Sequence, residues 1–532
     1  MSLADHSDMF RALCPLVLAA AAIAGDGPLI SVAVADGPIL SGHWAASLHG
    51  RLWLDPALEP LRKRYDEALA ERTKSLGFDP MAVVAVAKQA RLAVVALPST
   101  PIGEGQVCAS VEVGDLAKAL MAAARNEGGV AAVVPGADEA LTKPGKAGVL
   151  VRSGGRLTLN VAVSDPAAAL SGIAAPAKEV DLVYRVDVPR LVAAMKPLVP
   201  ATEVAATTAL QALAPFGPIQ GSVALRSEGL LEHIEGELLK PLPGHKPVDR
   251  ALLGRLPATT LMTLAVGFDG KAWWKQNRQI VLGIVLETER QQSGVALSLD
   301  EAEQQLDGLL GGLGIGATAR EIAEGIDGTA VFAVTQSVPF PAASLAVPRG
   351  KGIDAVAAWL AKIGHAELPA EGASALLTLP KLLVPLTLSR DKQHWLLTTD
   401  PAMTGQWNGG SPGGFADSAA GKNALAKAPA TAVAIGASDT ASVLRVASGY
   451  LSLGLGAMAV QPEQQQQILG AVNRLAGLAA PGYCYLSQTP TSWVWESRGL
   501  FGGLGTSVVV GGAAGPLAAV QLQPKGPPGT DL

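Results

Sequence analysis

The sequence predicts an α+β protein of two tandem related domains, each a mostly antiparallel sheet with helices packed on one face. Three observations predict it. Four apolar runs of strand length end at an aspartate ahead of a helical stretch: Ser31–Asp36, Leu182–Asp187, Leu261–Asp269 and Ala432–Asp439. Four pairs of short apolar runs turn around Ser153-Gly154-Gly155, Ser227-Glu228-Gly229, Arg390-Asp391-Lys392 and Thr489-Pro490-Thr491, which are hairpin signals. Finally, segments recur half a chain apart. Arg91–Leu97 returns as Ala330–Thr335, and aligning Gly77 with Gly316 carries a gapless register through to Val95. Asp36-Gly37 matches Asp269-Gly270, and Val151 matches Leu388, at similar separations.

The elements follow in order. Residues 1–24 read as a signal peptide: Arg11 precedes an uncharged run from Ala12 that closes at Ala22-Ile23-Ala24, with Met9 as an alternative start. The first α+β copy is expected over 25–245. Asp55-Pro56 opens a helix in which Leu58, Leu61, Tyr65 and Leu69 share a face, and Gly77 closes it. A further helix follows Asp115. Lys240–Pro247 is rich in proline, so 246–255 is expected to be a linker. The second copy spans 256–522, with helices over Leu299–Leu313 and after Asp354. Gly405–Lys427, rich in Gly, Ser and Ala, is expected as an exposed excursion, and 523–532 as a disordered tail.

Composition sets the class. With 532 residues the chain exceeds a single core, and at 49% hydrophobic against 16% charged residues it has ample apolar surface to fold. Aromatics are 4%, so Leu, Val and Ala must build the core. A net charge of −5 with no basic stripe argues against nucleic acid as a partner. After signal cleavage Cys108 and Cys484 remain; one disulfide is conceivable, but both sit in strand-like runs and read as buried free thiols. Phe501–Val520 is uncharged, yet its glycines and Pro516 fit a packed segment better than a membrane anchor.

No catalytic, cofactor or metal residue is assigned. The aspartates at strand ends, Asp36, Asp187, Asp269 and Asp439, read as helix caps. His43 and His49 flank Trp44, while His233, His245, His365 and His394 are scattered, and none has a helical zinc-pair spacing. Gly311–Gly316 follows a helix instead of a strand, and Gly421-Lys422-Asn423 lacks the hydroxyl residue of a phosphate loop. Gln464–Gln467 reads as a solvated helix face. Trp273, Trp274, Trp493 and Trp495 read as core or strand-face residues, with a ligand groove as the other option.

Four soft motifs carry a resemblance: Leu52–Leu58 before a long helix, Leu76-Gly77-Phe78-Asp79 before a strand, Leu256–Leu261, and Trp395–Asp400. In this grammar the chain resembles a family of uncharacterised bacterial proteins, exported and internally duplicated, known as a domain of unknown function. The resemblance implies no site residues. The function expected is that of a non-catalytic exported protein of the cell envelope, periplasmic or extracellular, with a structural or binding role. The alternative is a carrier of a lipid or other apolar ligand, and the third reading an enzyme without a recognisable motif. Ligand-binding residues and partners stay unknown, with an envelope protein or an apolar ligand as the options.

Overall fold

Among the described residues, short alternating runs give nineteen strands in one sheet, every pairing of which is antiparallel. The computed structural model describes residues 27–97, 105–144, 148–199, 204–242, 244–293, 297–337, 340–379, 385–409, 413–457 and 461–500. The expected signal peptide 1–24 with Met9 and Cys14, the uncharged run 501–520 and the tail 523–532 lie outside these residues.

The strands are β1 (Ile30–Val34), β2 (Lys88–Ala96), β3 (Gln106–Glu112), β4 (Val130–Ala131), β5 (Glu139–Thr142), β6 (Gly148–Ser153), β7 (Arg156–Val161), β8 (Leu182–Val186), β9 (Phe216–Arg226) and β10 (Gly229–Leu238). They continue as β11 (Thr260–Asp269), β12 (Asp327–Thr335), β13 (Ala342–Pro348), β14 (Ser374–Leu377), β15 (Leu386–Arg390), β16 (His394–Thr398), β17 (Ala432–Ser438), β18 (Gly482–Gln488) and β19 (Ser492–Gly499). Across the sheet, β10 is followed on one side by β9, β8, β1, β2, β3, β7, β6, β5 and β4. On its other side β10 pairs with β19, which is followed by β18, β17, β11, β12, β13, β16, β15 and β14. The connectivity outward from β19 parallels that outward from β10 as far as β14 and β5, β4 being without a counterpart among the described residues, and the last strand of each half makes the join.

The helices are α1 (Gly37–Ala46), α2 (Leu48–Trp53), α3 (Glu59–Leu76), α4 (Pro80–Val86), α5 (Leu116–Asn126), α6 (Pro166–Ser171), α7 (Val188–Met195) and α8 (Val204–Leu213) in the first half. The second half has α9 (Gly270–Ser293), α10 (Leu299–Gly312), α11 (Ala319–Gly325), α12 (Lys351–Ile363), α13 (Pro401–Gly409), α14 (Ala419–Lys427), α15 (Thr440–Ala457) and α16 (Pro462–Leu478). Gly77 ends α3 in the left-handed region at φ 75°, as its sequence position predicts. Asp187, Asp269 and Asp439 each accept a hydrogen bond from the amide three residues on. Asp36 sits at the cap position of α1, but its carboxylate accepts from the Gln89 amide instead. Asp354 lies inside the first turn of α12 and accepts from the indole Nε1 of Trp395 at 2.7 Å.

Three expectations are corrected. Helices cover both faces of the sheet, not one. On one face α6 packs on Ala33, Ala93 and Cys108, and α13 and α14 pack on Ala265, Val331 and Ile435. On the other, α7 packs on Val94 and Val107, α5 on Leu157, and α12 on Leu388 and Trp395. Most strands are apolar on both sides, and only a double cover removes both from water. The expected linker 246–255 brings Val248, Leu252 and Leu253 into the largest core cluster, and the Val248 amide donates to the Ala432 carbonyl. The expected excursion 405–427 holds Trp407, Phe415, Ala420 and Ala424 in that same cluster. Its small residues are the close-packing surface of α14, not a sign of looseness.

The gapless register is also adjusted. The bounds of α4 and α11, and of β2 and β12, agree with the Gly77–Gly316 offset. Side-chain facing does not: buried Ala93 shares a face with Ala33, and on the corresponding face it is Ala333, one residue beyond that offset, that packs with Ala265.

Candidate functional site

Five residues on adjacent strands stand directly opposite one another: Val32 (β1), Leu92 (β2), Ala109 (β3), Leu159 (β7) and Leu150 (β6). Cross-strand partners point to the same face. On this face α5 covers Val111 and Leu157 on one side, and α7 packs against Leu92 and Val161 on the other. Between them runs a groove of about 330 Å³ floored by aliphatic side chains; Arg91 and Ser110, which pair with each other and alternate with Leu92 and Ala109, border it but turn their side chains to the opposite face. Its volume is in the range of small-molecule sites.

The second half shows why a groove forms here. Its matching row is Leu264, Phe332, Leu345, Leu397 and Leu388. Where β1, β2 and β3 have Val, Leu and Ala, the second half has Leu, Phe and Leu. Smaller side chains leave room over the sheet in the first half.

A second cavity, of about 90 Å³, lies at the ends of β1 and β2 on the face to which Ala33 and Arg91 point, opposite the groove. Asp36, Gln89, Arg91 and Pro176 line it. Gln89 holds φ at +50°, one of three non-glycine residues with positive φ among those described. The Arg91 guanidinium donates from Nη1 to the Leu170 carbonyl at 3.3 Å, while its buried Nε has no hydrogen-bond partner.

Other polar clusters hold structure together. Asp391, at the β15–β16 turn, accepts from the Gln393 and His394 amides, from Trp407 Nε1 at 2.9 Å and from Arg255 at 2.7 Å. Burial works to raise its carboxyl, but these donors win and hold it below the usual carboxylate value. His394 is lowered by burial. His43 pairs with buried Asp181 at 2.7 Å, and His49 bonds the Leu500 carbonyl.

At the β10–β19 join, Glu496 accepts from the Tyr483 hydroxyl at 2.8 Å and faces His233 at 3.4 Å. The Glu496 hydrogen bond raises His233, and that same contact lowers Glu496. Burial and then Glu496 push Tyr483 upward. His245 bridges to Phe268, and His365 closes α12.

The remaining residues singled out in the sequence fall as follows. Gly311–Gly316 terminates α10, with Gly314 left-handed at φ 82°. Lys422 and Asn423 lie within α14, and Gln464, Gln466 and Gln467 are exposed on α16. Trp274 is core beside α10 and α11. The Trp493 ring lies over Gly236, where a Cβ would come within 2.6 Å of it. Cys108 and Cys484 are free thiols, each pushed up to about 11 by burial. Among the described residues there is no group of three potential metal ligands, and no helix is long and apolar enough to cross a membrane. The groove is absent from the sequence reading because strand partners far apart in the chain build it.

No family model matches the chain, and no curated protein matches it. Among solved structures, crystal form IV of TP0453 is similar with a TM-score of 0.24 and 8% identity, over 40% of this chain and 78% of that one. A likeness of that size assigns neither fold nor function.

Proposed function

We propose that this chain is a non-catalytic binding protein of the cell envelope, exported, whose ligand is a small apolar molecule held on the sheet face between α5 and α7. The observation that carries the reading is the groove itself: about 330 Å³, floored by Val32, Leu92, Ala109 and Leu159. Leu159 is 40% exposed there, an apolar surface that a ligand would remove from water. The polar clusters described above are occupied with caps, turns and the join, which favours binding over catalysis.

The reading includes an internal duplication, in keeping with the resemblance to an exported, duplicated family. Two matched contacts support it beside the strand order. Gly37, opening α1, lies against the Val84 carbonyl of α4, and Gly270, opening α9, lies against the Ala323 carbonyl of α11.

Mass spectrometry of the protein purified without detergent from an exporting host tests the ligand. A bound apolar molecule is expected in native spectra and in an organic extract. A bare polypeptide that also shows no gain in thermal stability with added alkyl ligands would end the carrier reading and leave a structural role for the sheet.

A further inference from the structure

We propose that the groove holds a single unbranched alkyl chain, laid across the strands with its headgroup left in water. This rests on the binding reading of the groove and names the ligand class for it.

The row Val32, Leu92, Ala109, Leu159 and Leu150 crosses five adjacent strands, so four spacings of about 4.8 Å make a floor about 19 Å long. The lining ends at β1 and β6. Next in the row beyond Leu150 is Leu141, buried in the α5 cluster, and next beyond Val32 is Tyr184, whose ring lies against Gly221. The volume of about 330 Å³ spread over that length gives a cross-section of about 17 Å². That admits one methylene chain and is too narrow for a fused-ring skeleton.

The floor offers nothing to a headgroup. Its side chains are aliphatic, Arg91 and Ser110 face away, and each of the five strands is paired on both sides. A polar group pressed onto it would lose its water without gaining a partner, so the head stays on the open side.

The second half supplies the contrast. At its matching row Leu264, Phe332 and Leu345 stand where the first half has Val32, Leu92 and Ala109, and Phe332 and Leu345 are themselves exposed. The framework therefore accepts the larger side chains on this face, and the smaller ones of the first half are not a requirement of the sheet.

The test is titration calorimetry of the full chain at pH 8 with saturated alkanoates of increasing length. Affinity is expected to rise about twofold per added methylene, since a chain on an open floor buries one side only, and to level off at about 15 carbons, the length of the floor. Dodecanoate and dodecyltrimethylammonium, equal in chain and opposite in charge, should bind within about threefold of each other. Leu92→Phe/Ala109→Leu, which copies the second half, should weaken tetradecanoate by at least about tenfold while keeping the wild-type urea midpoint. Wild-type affinity that climbs without a break well past the floor length, or that differs by more than about tenfold between the two headgroups, would overturn the chain placement and leave the groove reading intact. Neither result needs a variant to fold. A folded double variant that binds as wild type does would overturn the placement as well. If wild type binds no alkanoate the chain is refuted; binding of the fused-ring probe pyrene would then keep the groove reading, and binding of neither would remove both.

Discussion

Alanine at Gly270 puts the helix-on-helix packing to a quantitative test. A Cβ there would lie 2.1 Å from the Ala323 carbonyl oxygen and 2.7 Å from that of Ile326. Both are backbone atoms, so no side-chain rotamer relieves the overlap, and α9 must move away from α11 by more than about 1 Å to reach ordinary contact distances. Overpacking of this kind costs about 1–3 kcal/mol, and a backbone clash belongs at the top of that range. Part is offset by the helical preference of alanine over glycine, about 1 kcal/mol at most. A net loss of about 2 kcal/mol follows. Gly37→Ala, with its Cβ 2.0 Å from the Val84 oxygen, should behave alike. Gly308 in the interior of α10 is the control of opposite sign: an added Cβ meets nothing within 4 Å, so Gly308→Ala should gain up to about 1 kcal/mol. Urea unfolding followed by circular dichroism reads all three as shifts of the midpoint. If Gly270→Ala and Gly37→Ala unfold at the wild-type midpoint, the close approach is wrong at both places, and the matched-contact argument for duplication goes with it.

Three further outcomes are expected. His233 titrates above its ordinary 6.5, so its contribution is complete below that value and fades as pH rises through the folded value; Glu496 titrates below 4.5, so its contribution is present above 4.5 and fades as pH falls through its folded value. Glu235, Tyr483, Tyr485 and Arg498 surround the pair, and the melting-temperature gap between wild type and His233→Gln should be wider at pH 5.5 than at pH 8.5; a constant gap would refute the coupling. Asp391→Ala leaves Arg255 and the Trp407 indole without their acceptor, and about 3 kcal/mol should be lost in urea unfolding, with a change under 1 kcal/mol counting against the turn as an anchor. Because burial raises both thiols to about 11, peptide mapping after brief maleimide treatment at pH 7.5 should find Cys108 and Cys484 unlabelled until the chain is unfolded.

What was legible in the sequence was local. Gly77 announced a helix end because only a left-handed residue stops α3 there without strain, and three of the four strand-end aspartates cap the helices they precede. The hairpins at 227–229 and 489–491 carry their own turn chemistry and fall where expected. Non-local properties were not legible. Small residues around 405–427 read as loose because composition does not distinguish a solvated Ala or Gly from one pressed against a neighbouring backbone. Gly421 is of the second kind: its Cβ would come within 2.1 Å of the Phe415 oxygen. The groove depends on Val32, Leu92, Ala109, Leu159 and Leu150 meeting across five strands, and no spacing within one segment encodes that. The one-residue slip between α4–β2 and α11–β12 escaped because Ala and Val repeat so often that adjacent registers score alike.

The join between the halves explains how such a sheet can exist at all. Separated, each half would end in a long strand, β10 or β19, with unpaired amides and carbonyls along one side, the kind of edge that invites uncontrolled pairing. Pairing β10 with β19 from Leu230–Gly499 to Glu237–Ser492 removes both edges at once. The side chains commit the pairing to this register. On one face His233 lies opposite Glu496; on the other, Ser497 Oγ donates to Glu232, a carboxylate only 1% exposed. A slip of one residue would send Glu232 and Ser497 to opposite faces and leave that buried carboxylate without its hydroxyl. The outer ends are treated differently: β4 has two residues and β14 four, and strands so short offer little template for addition. The long edges are thus spent on each other at the centre. Exposed apolar surface is left on the sheet faces, where the groove over Leu92 and Leu159 lies.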